Sequence, residues 1–283
     1  MRGQGGISNI MQQVKCALAG KPEDLDSLPR GFEGSNQSYQ KFILLGHQRS
    51  GSSMIIGTLR EHSRVLSFGE LFKEDSVGFN VTGYDNQSSQ AFSLRNKYPV
   101  EFLTRYIYSS YHQDIQAVGF KFFPEHVQRN KKKFTPLWQW LQENKDVKVI
   151  DLKRENLLAA YVSLLIAIKD GRFSIKDEAE RSTRKLFVDP KKCLAEFEER
   201  KTLYEEAKQY VRHHDRLEVS YEDLSADILG HLKEIQEFIG VDNQPLEVRK
   251  VKQETRPLTE IIENYSELEE FFRDTEWAYL FDM

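Results

Sequence analysis

The segment Lys41 to His62, "KFILLGHQRSGSSMIIGTLREH", constrains the fold more than any other part of the chain. An apolar run, Phe42 to Leu45, meets a small and polar loop, Gly46 to Ser53, and a helical pattern follows at once. Strand, tight loop and helix in direct succession is how proteins build a phosphate cradle, because the first turn of a helix offers free N–H groups and a positive dipole end. Gly46, Gly51 and Ser53 match the glycine and hydroxyl positions of G-x-x-x-x-G-K-[ST], but Ser52 stands where that motif has lysine. Arg49, inside the loop, can supply the missing cation and hold two oxygens of one anion. Ser50, Ser52 and Ser53 add hydroxyl donors. The bland alternative is a glycine-serine turn with a surface arginine. The apolar strand before it and the helix directly after it argue for the anion loop.

Short apolar runs alternate with helical patterns through the rest of the chain, which implies a parallel α/β sheet. Strands are expected at "KFILLG", "RVLSF" (64–68), "AVGFKFF" (117–123), "DVKVIDL" (146–152) and "DRLEVSYEDL" (215–224). The last of these is read as a strand and its exit, with Tyr221 and Glu222 structural. Helices are expected from Ser52, over "EFLTRYIYSSY", from Pro136 in a first turn, over "RENLLAAYVSLLIAIKDG", from Asp189-Pro190, and from a Ser225 cap. Residues 1–40 are polar and glycine-dotted and read as peripheral. Residues 73–100 lack periodicity and read as an irregular insertion, a form common in lids and binding loops.

With 283 residues and a formal net charge of −4, the chain suits one large α/β domain and lacks the basic excess of a general nucleic-acid binder. No apolar run reaches membrane-spanning length and the N-terminus lacks a signal-peptide core, so a cytoplasmic protein is expected. Cys16 and Cys193 show no paired spacing, which suggests neither a disulfide framework nor a zinc site. An ATP or GTP enzyme would need the loop lysine and a carboxylate for Mg²⁺. Asp151 loosely imitates that carboxylate, yet Lys148 interrupts its apolar run and Lys153 and Arg154 follow.

"GHQRSGSS", "LSFGELF", "VGFKFF", "VIDLKRENLLAAYVSLLIA", "VSYEDL" and "KQETRPLTEIIENY" occur in this order. Together they resemble the sulfotransferases that use 3′-phosphoadenosine 5′-phosphosulfate, close to the bacterial type that includes nodulation-factor and glycolipid enzymes. The resemblance covers about Lys41 to the C-terminus. It implies a P-loop nucleotide-kinase-like parallel sheet flanked by helices and one domain over 41–283; residues 73–115, which it does not cover, are read from their irregular pattern as an acceptor-binding insertion or lid. It implies a donor 5′-phosphosulfate loop at Gly46 to Ser53, with Arg49 as its cation. Arg154 and Ser163 match the positions that hold the donor's 3′-phosphate. Ser163 alone could equally back-bond within its apolar helix. Lys252 matches a segment that folds over the donor, or else belongs to a solvated basic stretch. At Glu70 the resemblance implies the catalytic base, against the alternative of a solvent-facing turn residue. His47, in the loop itself, is the rival base. Lys121, a lone charge in "VGFKFF", either points to solvent or reaches the site as a cation. No metal is required, since a sulfuryl group carries less negative charge than a phosphoryl group. The acceptor would be a hydroxyl or amine of a small molecule, glycan or lipid, with Phe79, Tyr84 and Phe92 as candidates to bind it. A P-loop kinase using ATP, and a non-catalytic nucleotide-binding scaffold, are the alternatives.

Overall fold

Residues 42–45 alternate across a sheet: Phe42 and Leu44 belong to one apolar cluster, Ile43 and Leu45 to another. Both faces are therefore covered, as a fully parallel sheet requires. The computed structural model describes residues 21–128, 131–173, 175, 177–248 and 254–283. Its sheet has five parallel strands: β1 Gln40–Gly46, β2 Val65–Glu70, β3 Ala117–Phe122, β4 Lys148–Lys153 and β5 Arg216–Ser220, in the spatial order β2-β3-β1-β4-β5. The strands β2 and β3 lie to one side of β1 and β4 and β5 to the other, so the order of strand addition reverses beside β1, and its carboxyl end is the switch point at which such sheets hold ligands.

The helices that matter here are α1 Ser52–Leu59, α2 Ser89–Lys97, α3 Pro124–Gln128, α4 Lys131–Glu143, α5 Leu157–Asp170, α6 Pro190–Val211, α7 Tyr221–Ala226 and α8 Ile228–Phe238. On one face, Ile55, Ile56 and Leu59 of α1 pack with Phe42, Leu44, Ile150 and Ile235. On the other, Leu45, Phe68, Phe120 and Phe122 pack with Trp138 and Val211. A third cluster joins Leu158 and Val162 of α5 to Phe197 of α6, Phe272 and Trp277. β1 and β3 approach closely because Gly119 lies opposite Phe42, where a Cβ would come within 2.5 Å of the ring.

Several expectations need correction. The "SYEDL" stretch is not a strand exit: Ser220 caps α7 by accepting the Asp223 N–H, and the helix begins at Tyr221. The cap of α8 is Asp227, whose carboxylate accepts the Gly230 N–H, not Ser225. Helix α4 starts at Lys131, so Pro136 lies inside it and not in its first turn. "EFLTRYIYSSY" is helical only through Ile107, and Phe102–Ile107 is wound as a π-helix. Within the N-terminal segment read as peripheral, Leu25 and Leu28 are buried in the core around Phe68. Phe79 and Tyr84 are not free to bind an acceptor either. Both are buried, with ring contacts to Phe68 and Tyr106. The segment after β2 is an aromatic core layer, which needs bulk but no periodicity. The helix α5 ends at Gly171, whose left-handed φ of 66° suits glycine.

Candidate active site

The loop after β1 contains two left-handed residues, Arg49 at φ 68° and Gly51 at φ 90°. Gly51 is obligatory on two counts: its φ, and the Tyr221 ring 2.7 Å from where a Cβ would stand. Arg49 has no such exemption, and a non-glycine residue there stores roughly 1–3 kcal/mol. Gly51 is also the N-cap of α1, and no side chain caps the helix. The first turn thus offers N–H groups and a positive dipole end beside Ser52 and Ser53. The Ser50 hydroxyl closes the loop by donating to the His47 carbonyl at 2.7 Å.

Arg49, Arg154 and Ser163 come together at this loop. The Arg49 guanidinium donates to Ser163 Oγ through Nε and Nη2, at 3.0 and 2.9 Å, and to the Phe173 carbonyl at 2.6 Å. Ser163 therefore serves as an acceptor for the loop arginine. Arg154, just past β4, donates to the Arg49 carbonyl at 2.8 Å and lies over the Tyr221 ring, 4.3 Å from its centroid. Burial, and then the Arg154 charge, pull Arg49 down to about 10, against the opposing influence of Tyr221 and Glu70. Burial lowers Arg154 too, with Tyr221 and Glu222 opposing. A third guanidinium, Arg200 of α6, reaches the Gln48 carbonyl at 3.1 Å. Three cations crowd one short loop, an arrangement that an anion relieves.

The candidate bases have separate surroundings. The strands β2 and β3 run in register through Phe68 opposite Phe120, then shift by one, so that Glu70 and not Gly69 faces Lys121. Such a bulge re-aims a side chain at a sheet edge. Lys121 Nζ stands 3.3 Å from Glu70 Oε1 and donates to Ser53 Oγ at 2.6 Å. Lys121 is buried, 6% exposed, so the solvent-facing alternative fails. Burial lowers its proton affinity and Glu70 opposes that. His47 instead pairs through Nδ1 with Glu125 Oε2 at 2.9 Å. Burial pushes the Glu125 carboxyl up, but the His47 charge and hydrogen bond, with His126 and the Gln48 N–H, outweigh it and hold the group at about 2.

A cavity of about 740 Å³ opens against the loop, lined by Arg49, Gly51, Ser52, Ser53, Arg154 and Ser163 among others. Gly46 and Ser50 shape the loop from behind: a Cβ on Gly46 would meet the Leu152 carbonyl at 2.8 Å. Tyr221 also lines the cavity, and sequence reasoning missed it. Its signal was only an aromatic residue beside a helix cap. Glu125 and Arg200 were missed as well, since nothing in their local sequence points at a loop 77 and 152 residues away. Lys252 lies outside the described residues. Among the described residues no group of three or more His, Cys, Asp or Glu could hold a metal ion, and no helix is long and apolar enough to cross a membrane.

Fold and site define a class: a phosphate-loop α/β protein whose loop cation is arginine in place of lysine. The model of the sulfotransferase family matches residues 42–245, and the chain belongs to that family, whose enzymes transfer sulfuryl groups. It is similar to nodulation protein H of Rhizobium meliloti (strain 1021), at 24% identity over 248 residues, 86% of this chain and 96% of that protein. Two solved structures are similar. A sulfotransferase from Alicyclobacillus acidocaldarius shares 17% identity over 86% of this chain and 95% of its own, with a TM-score of 0.40. A mouse sulfotransferase complexed with PAP shares 16% over 91% of this chain and 68% of its own, with a TM-score of 0.35.

Proposed function

We propose that the donor is 3′-phosphoadenosine 5′-phosphosulfate, that the acceptor is a hydroxyl or amine of a small molecule, glycan or lipid, and that adenosine 3′,5′-bisphosphate is released. One observation carries this reading: Arg49, Arg154, Ser163 and the uncapped start of α1 converge on one cavity. Its size of about 740 Å³ suits a nucleotide-sized ligand. The two arginines supply the charge that two phosphate groups ask for, and Tyr221 offers a flat apolar face beside them. In this reading the loop from Gly46 to Ser53 holds the 5′ end, with Arg49 as its cation. Arg154 and Ser163 take the 3′-phosphate, so Arg49 must leave Ser163 when the donor enters.

The transfer forms a bond from the acceptor atom to sulfur and breaks the bond from sulfur to the 5′-phosphate oxygen. Glu70 takes the acceptor's proton. Lys121, bridging Glu70 and Ser53, places a cation between the base and the loop, where charge builds on the transferred group. Arg49 and the α1 N-terminus receive the charge that collects on the departing phosphate.

Calorimetry tests the donor assignment. The 3′,5′-bisphosphate should bind about 10- to 100-fold tighter than adenosine 5′-monophosphate, the worth of a lost charge-assisted hydrogen bond or two. Arg154→Ala should erase most of that difference. Equal affinity for the two ligands, or tighter magnesium-dependent binding and turnover of ATP, would overturn it.

A further inference from the structure

Among the buried charged residues that the mechanism leaves unused are Glu125 at the start of α3 and Arg200 in the middle of α6, each 6% exposed. Both turn toward the loop. Glu125 uses Oε1 to accept the Gln48 N–H at 2.8 Å and Oε2 to meet His47 Nδ1 at 2.9 Å. Arg200 donates to the Gln48 carbonyl at 3.1 Å, while Glu196 holds its Nε at 2.7 Å. The successive peptide groups of the loop are thereby fixed one by one. The 47–48 peptide is held by Glu125 and by the Ser50 hydroxyl, the 48–49 peptide by Arg200, and the 49–50 peptide by Arg154. The residue at the centre is Arg49, in its left-handed conformation. A strained residue persists only where its surroundings over-determine it. The three grips come from three elements of the fold, which is what over-determination requires.

We propose that Glu125 and Arg200 are positioning residues that clamp the Gln48 peptide from opposite sides, fixing Arg49 in the left-handed conformation that presents its guanidinium to the donor. The inference rests on the loop being the donor's cradle. A buried carboxylate and a buried guanidinium are costly to keep unless each makes specific bonds. Here one bond of each goes to the backbone of Gln48, and the others go to the side chains of His47 and Glu196.

The test is a double-mutant cycle read by bisphosphate calorimetry, with amide hydrogen exchange on the free protein beside it. Glu125→Leu and Arg200→Met each remove one grip and keep bulk. Each should weaken bisphosphate binding by about 10-fold, and by under about 2-fold when Arg49→Ala is already present, because interacting residues are non-additive. Glu125→Gln keeps an acceptor for the Gln48 N–H and should restore affinity to within about 3-fold of wild type, which lost packing alone would not explain. The Gln48 amide should exchange slowly in wild type and fast in Glu125→Leu and Arg200→Met. Should Glu125→Leu fail to fold, Arg200→Met carries the same cycle. Losses of equal size with and without Arg49, or wild-type affinity in Arg200→Met, overturn the proposal. Wild-type protein that does not bind the bisphosphate at all refutes the donor assignment instead. The exchange arm then decides the clamp: a fast-exchanging Gln48 amide in wild type refutes it, and a slow one lost in both variants supports it.

Discussion

Glu70 shows how much a single side chain depends on its backbone. Its carboxylate reaches Lys121 only because β2 slips by one residue at Gly69. Without the shift, Gly69 would face Lys121 and the carboxylate would lie one residue further on. The rival, His47, has its Nδ1 committed to Glu125 and, among the described residues, shares no hydrogen-bond partner with Lys121 or Ser53. Glu70→Gln keeps shape and hydrogen-bonding capacity but cannot take the proton. It should lower transfer by about 10²–10⁴, the usual range for general acid–base catalysis, and leave bisphosphate affinity nearly unchanged. His47→Asn should cost less. The measurement is single-turnover transfer with labelled donor, once a screen has supplied an acceptor. A near wild-type rate in Glu70→Gln with an inactive His47→Asn would make His47 the base.

At the scale of elements, the strand–loop–helix unit was legible because it is contiguous. Its apolar strand, its glycines and its immediate helix all lie within 41–62, so local pattern sufficed to place it on β1 and α1. Arg154 and Ser163 were singled out by the family resemblance, since local pattern alone left Ser163 open to a back-bond within its helix, and the structure brings both to the loop. Tyr221, Glu125 and Arg200 were not, because each meets the loop through tertiary approach from an element whose own pattern is ordinary. The aromatic layer around Phe79, Tyr84 and Tyr106 failed for another reason. Rings packed tilted or edge to face need no regular spacing, so a core segment read as an irregular insertion. The same distinction yields a prediction at Gly51, where loop, α1 and α7 meet. Gly51→Ala forces a left-handed alanine and sets a Cβ 2.7 Å from the Tyr221 ring. It should destabilise the protein by about 1–3 kcal/mol in urea denaturation and weaken bisphosphate binding together. Unchanged stability would mean that the loop re-forms without its left-handed turn.

Over the whole molecule, 44 acidic residues against 40 basic ones leave a formal charge of −4, and the cations of the site are held within that excess. Glu125 couples this balance to stability. Its folded pKa is about 2 against an ordinary 4.5, because the His47 charge and hydrogen bond, with His126 and the Gln48 N–H, overcome the upward push of burial. The unfolded chain takes up this proton near pH 4.5 and the folded chain resists it until about 2, so the contribution is complete above about pH 5. It is lost as pH falls through that interval, and its size is on the order of 3 kcal/mol at 1.36 kcal/mol per unit. Other groups also titrate on acidification. Burial raises Asp151, for example, which acts in the opposite direction. Comparing wild type with Glu125→Gln cancels the contributions of groups such as Asp151 that do not interact with Glu125. Urea denaturation of both proteins from pH 5 to the lowest pH at which wild type still folds should show a stability difference that is largest at about pH 5. Below that it should shrink steadily, by about 1.4 kcal/mol per pH unit at its steepest. A difference that stays constant through pH 3 would mean that Glu125 is not an ionised partner of the loop, and that the His47 pair does not hold it down.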